Sequence, residues 1–429
     1  MPLKLLVVDD LPLGQAIKRE WQSRTEKDLD VQNVTLADLS QASRLPGDVV
    51  VFPSGQIGQL VERELIGPLD EAALEAGDFN RRDIFDQVRL REMVWGSRIV
   101  AVPLGSPRLV LVYRRNIFEE LSLVPPQTWE EYQAVVDRLT ADGKADRTAI
   151  EPLAEGWAGQ MLLARAAAYV THRDQVSPLF DYLTLEPLIQ SEPYVRALEE
   201  LIAARKGGAR ENRLTPVETW SEIRSGKAAM AICWAPPAVE KVPTSAASLA
   251  FHLLPGGSDV YNFSRSRWDE RESSDERHVP LLAISGRLAA VTTTATDSEA
   301  ARGFVAWLAG SEVSTAVGPA SSATTLFRDS QLASAGRWTG GLDGATAKAY
   351  AETLQKSSQL QRFVSLRLPG REAYLAALDV AVQQSLSGKQ TPAEALTAAA
   401  GKWRDITAKI GLERQRRALR RDLGLESLP

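Results

Sequence analysis

The stretch WGSRIVAVPLGSPRLVLVYRRNIFEELSLVPPQTWEEYQAVVDRL, Trp95 to Leu139, constrains the fold more tightly than any other part of this 429-residue chain. It reads as a short strand over Arg98–Leu104, a corner at Gly105, Ser106 and Pro107, and a second apolar strand over Leu109–Tyr113. A helix follows, then Pro125 and Pro126, then another helix opened by Thr128 with Glu131 three residues on. Thr-x-x-Glu is a capping box, which satisfies two otherwise orphaned amides at a helix start. Strand, corner, strand and paired helices in such close order set the chain among α/β proteins.

Upstream the same alternation holds. Leu3–Val8 is a near-continuous apolar run, as expected of a strand covered on both faces of a parallel sheet. Helical periodicity runs from Leu13 to about Trp21, and strands are expected near Val31–Val34 and Asp48–Phe52. Ile57, Leu60, Val61 and Leu65 recur at three-to-four spacing, a helix stopped by Gly67 and Pro68. Downstream, Ala158 to about Arg205 reads as mostly helical, Thr215–Glu218 as a second capping box with Pro216 at the first helical position, and Leu249–Leu254 as a strand. Ser258–Glu276 is polar and charged and reads as a long loop. A strand at Pro280–Ser285, a helix capped by Asp297, and helices over Tyr374–Leu386 and Thr391–Gly411 complete the reading.

The length calls for two lobes, since single cores stop growing well before this size. With 44% hydrophobic and 24% charged residues the chain is neither disordered nor a coiled coil. A formal net charge of −5 disfavours a nucleic-acid partner. The basic run Arg414, Arg416, Arg417, Arg420 and Arg421 is expected to be a solvated helical tail. Cys233 is the single cysteine and sits in an apolar run, where a buried inert thiol is expected. The three histidines, His172, His252 and His278, show no metal-ligand spacing, so no metal and no cofactor is expected. No apolar run is long enough to span a bilayer. MPLKLLVVDD moves straight into a strand with no signal peptide, so an extracytoplasmic location would need a leader outside this sequence.

Five pieces are similar, in order, to the extracellular solute-binding proteins of sugar-type ABC importers. PGDVVVFPSGQIGQLVERELIGPLD resembles their first strand, ligand loop and helix, and WGSRIVAVP with LVYRRNIFEELSLVPPQTWEEY resembles their first crossing between lobes. IRSGKAAMAICW, SEAARGFVAWL and the closing YLAALDVAVQQSLSGKQTPAEALTAAAGKWRDI continue the match. Arg115-Asn116 inverts the usual order of that pair, and the charged segment Arg265–Arg277 has no counterpart.

The resemblance implies an α/β, type II periplasmic-binding-protein-like clamshell with discontinuous lobes and a helical C-terminal region. Residues 1–108 with 283–320 would form lobe one, and 109–282 with 321–429 lobe two. It further implies a monomeric periplasmic or membrane-anchored receptor that holds a small hydrophilic ligand, a sugar or oligosaccharide, for the permease subunits of an ABC transporter. Ligands of open sheets sit in the crevice at the carboxyl ends of strands. Sugars need flat apolar faces for their C–H surfaces and polar groups for their hydroxyls. Trp157 and Trp234, at element boundaries, are the candidate platforms, with Trp338 a weaker one. Asp10, Ser54 and Gln56 are the candidate polar partners, and Ser106 and Tyr261 lie in adjoining loops. Asp10 can equally serve to cap the first helix.

Catalysis is not expected. The sequence holds no Gly-x-Ser-x-Gly elbow, His-Glu-x-x-His, Walker loop or Gly-x-Gly-x-x-Gly. Two readings stay open beside transport: a ligand-sensing clamshell, and a carbohydrate-active enzyme using a carboxylate pair.

Overall fold

The computed structural model describes residues 2–75, 78–144, 148–206, 213–236, 248–272 and 275–428. Two separate sheets organise it. The first has five strands in the spatial order Leu29–Val34, Leu3–Val8, Val49–Pro53, Arg287–Val291, Val102–Gly105. Its first three strands are parallel, and Arg287–Val291 runs antiparallel to both of its neighbours. The second has four strands in the order Leu249–His252, Val110–Arg114, Met230–Cys233, Ala149–Ile150. Central strands of both are buried on both faces, as in Val49–Phe52 and Met230–Cys233, because helices cover each side.

The chain passes from one sheet to the other through three neighbouring segments. The first is Gly105–Leu109, between Val102–Gly105 and Val110–Arg114. The second lies around Ala283–Gly286, where Ala283 holds a left-handed φ of 55° and Gly286 a φ of 108°. The third follows the helix Ser311–Val317. Gly105 has a φ of 148°, and a Cβ there would run into Thr324 of the third segment, so only glycine lets these strands of chain lie side by side.

Several local expectations need correction. The strand expected at Pro280–Ser285 shrinks to Leu281–Leu282, which pairs with Val364–Ser365, and the strand entering the first sheet is Arg287–Val291. An arginine at its head disguised it. Ser258–Glu276 is no simple loop: Asp259–Asn262 pairs with Arg267–Glu270 in a hairpin, with Ser273 and Ser274 outside the described residues. The expected strand Arg98–Leu104 is split into Arg98–Ile99 and Val102–Gly105. The helical stretch from Ala158 is two helices, Ala158–Val170 and Glu192–Lys206. At Thr128 the box is incomplete: Thr128 accepts from the Glu131 amide, but Glu131 accepts from the Gln127 amide. The boxes at Thr215 and Thr391 are complete.

The arginine-rich tail is a docked helix, Leu412–Asp422, and not merely solvated. Gln415, Ala418 and Leu419 are buried. Arg421 donates to both Glu62 oxygens at 3.1 Å, and Asp422 lies 2.6 Å from the Arg367 guanidinium. The Leu428 amide donates to the Gly96 carbonyl. This end of the chain therefore reaches back to segments flanking the first sheet, although it follows the helix Pro392–Ile410, which packs on Arg371–Leu386.

Candidate functional site

Parallel strands deliver their carboxyl ends to one edge. In the first sheet that edge carries Asp10, just past Leu3–Val8, and Pro53–Gln56, past Val49–Phe52. Antiparallel pairing sets Arg287 opposite both Pro53 and Gly105, so the head of that strand joins the same edge. In the second sheet Cys233 leads to Trp234, and Ile150 leads through Gly156 to Trp157 at the head of the helix Ala158–Val170.

The structure brings the two proposed platforms together. Trp157 and Trp234 have ring centroids 5.6 Å apart at a 54° tilt. They differ in exposure. Trp157 is half-buried, while Trp234 is 2% exposed, with its indole N–H 3.4 Å from the Ser322 carbonyl. Trp157 keeps part of its ring accessible, and Trp234 packs behind it. Beyond Trp234, the Ala235 amide donates to the Tyr350 hydroxyl, and Pro237 lies outside the described residues. Trp338 is fully buried against Gly318 and faces no opening.

Asp379, from the neighbouring helix, accepts the Gly159 amide at 3.1 Å and so caps the helix behind Trp157. Burial holds this carboxyl above its ordinary pKa despite the amides around it.

At the edge of the first sheet the polar candidates are buried and already engaged. Asp10 caps the first helix, accepting from the Leu13 amide, and also receives the Ser321 hydroxyl at 2.5 Å. The Arg287 guanidinium lies 2.9 Å from the same carboxylate, and burial lowers its pKa. Asp10 is thus a helix cap that sits on this polar edge. The Ser54 hydroxyl donates to the Ser285 carbonyl at 2.6 Å, and Gln56 Nε2 donates to Glu372 at 2.6 Å.

That last bond links the loop of the first sheet to the head of the helix Arg371–Leu386. Arg371 completes the link. Its guanidinium donates to the Leu366 and Ala283 carbonyls at 2.9 and 3.0 Å, to Glu372 at 2.7 Å and to Gln160 at 3.2 Å. It lies directly on Gly55, where a Cβ would collide with it.

Ser106 and Tyr261 have other partners. Ser106 is buried in the first crossing, its hydroxyl given to Glu92 at 2.5 Å. Glu92 also receives Arg108 at 3.1 Å, and Arg108 donates to Gln87 at 2.8 Å. Ser106 is thus held within the crossing itself. Tyr261 is packed between Phe263 and Trp268, with Trp268 against Tyr169 near the far end of the helix that Trp157 opens. Twelve residues of helix separate Tyr169 from Trp157, roughly 18 Å. Tyr261 therefore belongs to a different aromatic cluster.

Sequence reasoning missed Arg371, Glu372, Gln160 and Arg287. A signal existed for two of them: Arg371 and Glu372 directly follow Pro369-Gly370, so they form the polar head of a helix at a turn. Cys233 is fully buried and its thiol pKa is pushed up by desolvation, which leaves it inert. Among the described residues no cluster of His, Cys, Asp and Glu could hold a metal. No helix of the described residues is long and apolar enough to cross a membrane.

Comparison with known proteins supplies the family. No curated protein sequence matches the chain. Among solved structures it is similar to an ABC transporter solute-binding protein from Agrobacterium radiobacter K84 in complex with ribitol. That likeness has 19% identity over 94% of this chain and 98% of that one, with a TM-score of 0.70. A solute-binding protein from Agrobacterium vitis S4 with bound D-mannitol matches at 18% identity over 96% and 99%, TM-score 0.69. The sugar-binding protein MalE from Xanthomonas citri matches at 15% identity over 96% and 99%, TM-score 0.69. At such identities the likeness establishes the fold, that of the type II periplasmic binding proteins. The family model described as bacterial extracellular solute-binding protein matches residues 12–314, most of the chain. This protein belongs to the bacterial extracellular solute-binding protein family.

Proposed function

We propose that the chain captures a polyol or a sugar between its two lobes and presents it to the permease subunits of an ABC importer outside the cytoplasm. One observation carries the reading. A half-buried Trp157, backed by Trp234, stands at the strand ends of the second sheet, and the polar edge Asp10, Ser54, Gln56 and Arg287 stands at those of the first. The indole face suits the C–H surface of a carbon chain or ring, and the engaged polar groups hold still for its hydroxyls. The family and the polyol-bound relatives support the same class of guest.

The lobes are taken as 1–108 with 283–320 and 109–282 with 321–410, the remaining tail tying back to the first. Gln56–Glu372 and Arg371 on Gly55 are the contacts that lobe rotation would remake. A guest that binds the shut form more tightly than the open one shifts the population, and only that difference can drive closure. No chemical step is assigned; of the acids near the strand ends, Asp10 is engaged by Arg287, Ser321 and a helix amide.

Calorimetry with ribitol, D-mannitol, maltose and a wider carbohydrate panel tests the reading. Saturable heat with a polyol or sugar is expected, with a smaller radius of gyration on binding. Silence across that panel together with heat from amino acids, peptides or polyamines would overturn it.

A further inference from the structure

We infer that the face behind the lobe junction holds a second site, for an organic anion with an apolar body. A cavity of about 330 Å³ lies there, walled by residues 170–180, by 361–368 and by the end of the C-terminal helix. It opens beside the last turn of the helix whose first turn carries Trp157, so it is distinct from the cleft.

Three guanidinium groups from distant parts of the chain line it: Arg91 from the turn before the first crossing, Arg173 from beyond the helix, and Arg362 from the returning segment. None of the three forms an ion pair among the described residues, whereas the neighbouring Arg367 is paired with Asp422. Arg91 lies over the Phe363 ring at 5.3 Å, and Arg362 donates one N–H to the Thr171 carbonyl, so both are oriented. Asp422 is the lining's carboxylate, and it is held by Arg367 at 2.6 Å. Phe363, Leu423 and Leu179 supply an apolar floor.

Unspent guanidinium forks favour carboxylate or phosphate, which they meet with charge-assisted and often bidentate hydrogen bonds. An apolar floor beside them selects an anion that carries a hydrocarbon or aryl body over a bare inorganic ion. Arg91 stands on one side of the crossings and Arg173 on the other, so an occupant would touch both. This site does not depend on what the cleft holds.

The test is calorimetry on the full chain with phenyl phosphate and benzoate as organic anions, benzyl alcohol as their neutral counterpart and inorganic phosphate as the bare ion. Saturable binding of at least one organic anion is expected, with benzyl alcohol and inorganic phosphate both weaker. Arg91 and Arg173 are exposed, so R91Q/R173Q should keep the wild-type circular dichroism and melting curve while binding roughly tenfold more weakly. Equal binding of benzyl alcohol, equal binding of inorganic phosphate, an unchanged affinity in R91Q/R173Q, or no saturable heat from either organic anion would each overturn the inference.

Discussion

Glu92→Gln is expected to cost more than any surface change in this protein, because it strands a buried charge at the first crossing. Glu92 and Arg108 are 1% and 2% exposed. The carboxylate accepts from Ser106 at 2.5 Å and from Arg108 at 3.1 Å, and the rest of the Arg108 fork reaches Gln87 at 2.8 Å. Neutralising Glu92 leaves the Arg108 guanidinium buried with an amide for company. Breaking a buried pair from one side costs about 3–5 kcal/mol. Against a total stability of about 5–15 kcal/mol, that is a large share. Arg108→Met should cost a similar amount for the mirror reason. E92Q/R108M should cost about 2–3 kcal/mol less than the sum of the two, since neither charge is then left alone. Ser106→Ala removes one bond to a charged acceptor, about 1.5–3 kcal/mol. Urea unfolding followed by both tryptophan fluorescence and far-ultraviolet circular dichroism reads these losses and shows whether the lobes unfold together. A loss below about 1 kcal/mol for E92Q would refute the reasoning. So would additive single changes, or an S106A variant that binds polyol more weakly at unchanged stability.

Three other outcomes are expected. Trp157→Ala should weaken polyol binding by roughly tenfold with a modest effect on melting, whereas Trp234→Ala, at 2% exposure, should cost about 3–5 kcal/mol of stability; calorimetry and thermal melts separate the two. Glu62→Gln should cost about 1.5–3 kcal/mol and loosen the C-terminal helix, since Glu62 receives both Trp95 at 2.8 Å and Arg421 at 3.1 Å; amide exchange over 412–428 reads the change. Burial holds the His278 pKa below its ordinary value, with the ring bonded to the Leu254 carbonyl at 2.7 Å and close to His252. A depressed histidine contributes stability that is present above the unfolded value of about 6.5 and lost as pH falls through the folded value. His278→Gln should therefore flatten the fall in stability below neutral pH, and an unaltered pH profile would discount that histidine.

Strands of the first sheet were legible wherever an unbroken apolar run marked them, as in Leu5–Val8 and Val49–Phe52, because burial on both faces leaves no other composition. The caps at Thr215, Asp297 and Thr391 were legible because a cap is a local bond between residues three apart. Arg287–Val291 was missed for the opposite reason: its arginine is buried beside Asp10, about two-thirds of the chain away in sequence, whose carboxylate comes within 2.9 Å.

The candidate site divided along the same line. Chain order alone placed Trp157 and Trp234 at element boundaries, and nothing in that order set their rings 5.6 Å apart or left one half open and the other shut. Ser106 and Tyr261 shared the look of loop residues near a cleft. A buried carboxylate from Glu92 claimed the first, and an aromatic cluster with Phe263 and Trp268 claimed the second. The sequence by itself determined the two-lobed α/β plan, since periodicity, caps and turns act over a few residues. The tertiary structure decided which side chains meet across the crossings, because hydrogen bonds and burial between distant segments exist only once the chain has passed between its sheets three times.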